Sequence, residues 1–165
     1  MADGFDSWTV WLNRHGPALV LLARQWTPSR TDAEDVVQEA FVRFWRSRER
    51  IEDPAAYLFA CVKHCALDSL RGRQRQVRRE QATARPEAEP LFMSGIEQDE
   101  RRTAIEAALR ELPENQAEVL VMKIWGELTF PQIAKALDLP ANTVASRYRY
   151  ALARLREQMA EEPIR

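Results

Sequence analysis

The stretch LDLPANTVASRYRYALARLR, Leu137 to Arg156, opens on a proline-marked turn and then runs without Gly or Pro, carrying Arg147, Arg149, Arg154 and Arg156. Just before it, Phe130 to Leu137 reads as a short helix, with Thr129 and Gln132 spaced as a capping box and Ile133, Ala134 and Leu137 placed to pack. Asp138-Leu139-Pro140 supplies a tight turn. In the long helix, Val144, Tyr148, Ala151, Leu152 and Leu155 have the spacing of a buried stripe. The other side collects Thr143, Ser146, Arg147, Tyr150 and Arg154, with Arg149 at its edge. A support helix, a turn and a longer helix with a free face form a helix-turn-helix pattern. Small hydroxyls near a helix N-terminus suit phosphates, and arginine reaches guanine edges or the DNA backbone. The same residues also fit a polar outer face, with basic residues answering the helix dipole. The turn and the capping box, not the arginines, favour DNA.

Working outward, the bulk composition supports an all-α chain. The 165 residues allow one ordinary domain or two small ones, and 45% hydrophobic content is enough for a packed core. Only five glycines and little period-two alternation argue against a sheet protein. The net charge of −1 gives no global field, so nucleic-acid affinity has to come from local clusters. No apolar run approaches the ~20 residues needed to span a bilayer, and the start MADGFDSW lacks a secretion signal. These features predict a cytoplasmic protein with no membrane partner.

Helical periodicity recurs upstream. A first helix is expected over about Phe5 to Trp26, interrupted near Gly16-Pro17. A second follows Asp32 as its cap, with Glu34 and Asp35 near the positive dipole end and Val36, Val37, Ala40, Phe41, Phe44 and Trp45 as its apolar stripe. A third starts at Asp53-Pro54. Between Glu80 and Glu100 lie Pro86, Pro90, Ser94 and Gly95, with six acids against one Arg. That composition predicts a flexible acidic linker. The expected layout is a helical domain over 1–80, a linker over 81–100 and a second helical domain over 101–165. In the latter, two helices separated at Pro113 precede the helix-turn-helix.

The third helix ends in a basic run. Lys63 to Arg79 holds Lys63, Arg71, Arg73, Arg75, Arg78 and Arg79 against a single acid, Asp68. Tyr57, Phe59 and His64 lie close by in sequence, and clustered cations with aromatics suit a phosphate backbone beside an unpaired base. A solvated helix end is the alternative reading, and Phe44 and Trp45 are expected in the core. Cys61, His64 and Cys65 share one helix face, but with His15 the only other histidine and no further cysteine, no second ligand pair completes a metal site. Buried thiols are expected instead. No nucleophile signature or paired-carboxylate pocket points to an enzyme. No cofactor is expected.

Taken together, DAEDVVQEAFVRFW followed by DPAAYLFACVKHCALDSLRGRQR resembles region two of bacterial sigma factors. LRELPENQAEVLVMKIWGELTFPQIAKALDLPANTVASRYRYALARLRE resembles region four, and the compact arrangement is similar to the extracytoplasmic-function group. The resemblance implies a factor that binds core RNA polymerase and directs it to promoter DNA for transcription initiation. It implies that Asp35, Gln38 and Glu39 grip the clamp helices of the largest polymerase subunits. It implies that Lys63, His64, Arg71, Arg73, Arg75 and Arg78 serve the minus-ten element, which is melted. Thr143, Ser146, Arg147, Arg149, Tyr150 and Arg154 would serve the minus-thirty-five element. It leaves room for an anti-sigma factor that masks these surfaces. Three departures stand out: His64 where many relatives carry Asn, Ala145 where Lys or Arg is common, and Asp138 where Gly is common. The rival readings are a helix-binding adaptor and a free-standing dimeric repressor or activator, the latter predicting two-fold symmetric half-sites.

Overall fold

The protein is described here from a computed structural model, which covers residues 2–79 and 96–161. It divides into two compact units, Met1–Leu91 and Phe92–Arg165.

In the first unit, α1 (Ala2–Ala23), α2 (Arg30–Ser47) and α3 (Pro54–Arg79) pack on one another, with a short 3-10 turn at Arg48–Arg50 between the last two. Each helix contributes one apolar face. Leu19 and Leu22 from α1, Phe44 from α2, and Leu58, Phe59 and Val62 from α3 are fully buried. The expected interruption at Gly16-Pro17 does not end α1, which runs through Pro17 to Ala23. Pro17 is exposed there, so its ring displaces no core side chain. The cap of α2 also differs from expectation. Ser29, not Asp32, is the N-cap, its Oγ accepting from the Asp32 backbone N–H at 3.1 Å and donating to the Asp32 carboxylate at 2.9 Å. Both residue types cap well, and they lie three apart, so the sequence offers two frames for the first turn. Glu34, expected near the dipole, is buried at 4% exposure with Arg30 3.8 Å away. For α3 the start is as expected: Asp53 Oδ1 accepts from Ala56 N–H at 3.2 Å, and Pro54 is the first helical residue. Val37, Phe41 and Trp45 are half-buried instead of core. Trp45 lies under the Arg48 guanidinium, 4.0 Å from ring centroid to Cζ.

The second unit holds α4 (Ile96–Arg110), α5 (Glu114–Ile124), α6 (Phe130–Leu137) and α7 (Ala141–Glu161). Helix α4 begins inside the stretch read as linker, and the remainder of that reading, 81–95, lies outside the described residues. Val119, Leu120, Val121 and Met122 of α5, Ile133 of α6, and Val144 and Ala151 of α7 form the core. The capping box at Thr129 and Gln132 is complete in both directions, at 3.2 Å and 2.9 Å. Helix α6 ends at Asp138, in the left-handed region (φ 53°, ψ 53°), and Leu139 N–H then bonds Ala134 C=O at 3.0 Å. That closure fixes the angle at which α7 leaves. A β-branched residue in this conformation carries a steric penalty that Asp largely escapes. Asp138→Val is therefore expected to lower stability by about 1–2 kcal/mol, and Asp138→Gly to leave it nearly unchanged, as measured by denaturant unfolding.

Candidate nucleic-acid and polymerase interfaces

Helix α2 turns its buried side to α1 and α3, and this alone determines what it offers outward. Asp35, Gln38 and Glu39 are all exposed, at the spacing of one helix face. Val42 is on the same face and 48% exposed, although apolar. Glu39 is joined by Arg43 at 2.7 Å, an exposed pair four residues apart. The face is thus acidic and polar, with an apolar side chain at its C-terminal end.

On α3 the structure sorts the basic run by helical phase. Tyr57, His64, Asp68, Arg71, Arg75 and Arg78 are exposed, and their intervals of seven, four, three, four and three residues hold them on one stripe. At 1.5 Å per residue, the stripe is about 30 Å long. Arg71, Gln74, Arg75 and Arg78 line an open groove of ≈ 240 Å³. Arg73 points the other way. Its Nη2 donates to Trp26 C=O at 2.5 Å and its Nη1 to Ser69 Oγ at 2.9 Å, tying α3 to the end of α1. It is separated from the minus-ten set it was expected to join. Arg24 Nη1 reinforces the same chain end through Thr27 C=O at 2.7 Å. Lys63 is half-buried on the flank of the stripe.

The cysteines lie under this surface. Cys61 Sγ–H reaches Ala40 C=O at 3.7 Å, linking α3 to α2, and Cys65 is buried. Burial pushes the Cys65 thiol up to about 12 and raises that of Cys61 as well. A nucleophilic thiol requires a shift in the opposite direction.

In α7, Val144 and Ala151 face the core and Tyr148 packs edge-on against Phe130 at 5.4 Å. The candidate residues then separate into two rows. Thr143, Arg147, Tyr150 and Arg154, spaced by four, three and four residues, run along one flank. Tyr150 is 65% exposed between the two arginines. Ser146 and Arg149 lie in a second row, with Arg149 Nη2 donating to Ser146 Oγ at 3.4 Å. Asn142 heads that row, exposed in the first turn of α7, and was absent from the sequence-based set. Its amide at the N-terminal end of a recognition-type helix was the available signal, because this is where such helices contact bases.

Comparison with known proteins agrees with this layout. A Sigma-70 region 2 family model matches residues 11–76, and a Sigma-70 region 4 model matches residues 102–155. The RNA polymerase sigma-E factor of Streptomyces coelicolor is 32% identical over 146 residues, covering 86% of this chain and 80% of the relative. An extracytoplasmic-function RNA polymerase sigma factor, RpoE of Cereibacter sphaeroides, is 29% identical over 135 residues, covering 79% and 74%. Among solved structures, CnrH in complex with the cytosolic domain of CnrY matches with a TM-score of 0.64 at 25% identity, covering 94% of this chain and 88% of that one. The sigma factor RpoE bound to the anti-sigma factor NepR, from Bartonella quintana, has the same fold, with a TM-score of 0.68 at 21% identity over 95% and 99% of the chains. With both regions present in order and a relative of this identity spanning most of its length, the chain belongs to the extracytoplasmic-function group of the sigma-70 family, transcription initiation factors and not enzymes, which direct RNA polymerase to specific promoters.

Proposed function

We propose that the three exposed surfaces divide the work of initiation. The Asp35–Gln38–Glu39 face of α2 docks on the clamp helices of core polymerase. The stripe from His64 through Arg71, Arg75 and Arg78 carries the minus-ten strand. The flank of Thr143, Arg147, Tyr150 and Arg154, with Ser146, Arg149 and Asn142 beside it, reads the minus-thirty-five element in the major groove. Arg73 is assigned to the scaffold. The observation that carries this reading is the phase of the basic side chains. On α3, three exposed arginines share one side with His64 while Arg73 bonds inward.

Each DNA surface is small and the net charge is −1, so neither half binds tightly by itself. Polymerase holds both, and docking of one raises the effective concentration of the other. The two solved relatives named above are complexes, one with an anti-sigma factor and one with a cytosolic domain. By analogy, an anti-sigma factor is proposed to cover these surfaces here. Such a protein works in the cytoplasm, and among the described residues no helix is long and apolar enough to cross a membrane.

Arg147 provides the test. With core polymerase and a set of minus-thirty-five variants, Arg147→Ala should lose about 1–3 kcal/mol of discrimination at one base position. Equal loss of output on every variant would make Arg147 a phosphate contact only.

A further inference from the structure

The stripe on α3 contains one residue that contradicts its own electrostatics. Asp68 lies among His64, Arg71, Arg75 and Arg78, and it is the sole acid from Lys63 to Arg79. Its carboxylate Oδ1 is 3.7 Å from Arg71 Nη1, with the two side chains 62% and 67% exposed. An exposed pair of this kind contributes little to stability, and Asp is a poor residue for a helix interior. The helix gains almost nothing from it. A phosphate is repelled at this point, since the carboxylate accepts hydrogen bonds and cannot donate them. A strand that follows the arginines can therefore meet Asp68 only with a base edge that carries N–H groups.

We propose that Asp68 is a specificity-determining residue, its carboxylate accepting hydrogen bonds from the N–H edge of one base in the minus-ten element, guanine. Guanine alone offers a carboxylate two adjacent donors, N1–H and N2–H₂, where cytosine and adenine each offer one amino group and thymine one ring N–H. Arg71, 3.7 Å away, orients the carboxylate across the stripe. The inference rests on the proposed path of the minus-ten strand along α3.

The test is transcription by the full chain with core polymerase on a library randomised through the minus-ten element. Wild type should favour guanine by about tenfold at one position. Asp68→Ala should flatten that position and leave the others unchanged. Asp68→Asn, which keeps the shape and removes the charge, should lose the preference too. If the base profile of Asp68→Ala is unchanged, whether output rises uniformly or stays level, the proposal is overturned; full preference retained in Asp68→Asn overturns it equally. A double variant, Arg75→Ala with Arg78→Ala, reports on the strand path separately. Lower output on all promoters with a weaker salt dependence supports that path, and undiminished output refutes it whatever Asp68 does.

Discussion

Phe44→Ala is expected to lower the stability of the first unit by about 3–5 kcal/mol, a large part of what a domain of this size possesses. Phe44 has no exposed surface, and three aromatic rings are arranged around it: Trp8 at 4.7 Å, Phe41 at 6.0 Å and Tyr57 at 6.2 Å. Truncation removes the ring on which all three converge, and those neighbours belong to three different helices. Rigid helices cannot collapse fully into the space, so a cavity cost adds to the lost transfer energy. Trp8, in edge contact with Phe44 at 4.7 Å, is one of five tryptophans whose emission reports unfolding. The expected result is a much lower urea midpoint followed by tryptophan emission. Phe44→Leu, which keeps most of the volume, should recover more than half of the loss. A Phe44→Ala midpoint within experimental error of wild type would show that this cluster is not the core of the unit.

The same packing explains which parts of the protein were legible in the sequence. Local signals carried over well. The box at Thr129 and Gln132, the start at Asp53-Pro54 and the left-handed Asp138 are short-range chemistry, and each stands where the residues suggested. Faces of long helices were legible through phase, as with Val144 and Ala151 inward and Asp35, Gln38 and Glu39 outward. The inward place of Arg73 is not legible in the run of cations itself. Arg73 sits two residues from both Arg71 and Arg75, which puts it on the opposite side of α3, and only the tertiary partner Trp26 C=O explains why a guanidinium belongs there. Ser29 was missed as a cap because Asp32 is an equally good residue type three positions on. The half-buried state of Trp45 was not readable either, since its partner Arg48 belongs to the following turn. Hydrophobic pattern thus identified the elements, and the misses are residues whose environment is set by another element.

Replacing Asp35, Gln38 and Glu39 together by alanine should weaken capture by core polymerase on the order of 100-fold, while the fold stays intact. Stability should move by less than about 0.5 kcal/mol, because all three side chains are exposed and alanine is the best helix former. Only the Glu39–Arg43 pair is lost, and an exposed pair four residues apart contributes a few tenths of a kcal/mol. Binding should fall steeply because the triple change removes two charges and an amide from one helix face, next to the exposed apolar Val42. Polar groups beside a desolvated apolar side chain direct docking, so their joint loss exceeds what exposed charges contribute within the free protein. Arg43→Ala gives the internal comparison. It frees Glu39 without removing it, so capture should change by no more than a few-fold. Pull-down of core polymerase, with circular dichroism as the fold check, separates these outcomes. Undiminished capture by the folded triple variant would move the polymerase contact away from α2, and would leave the exposed Val42 without the partner proposed for it.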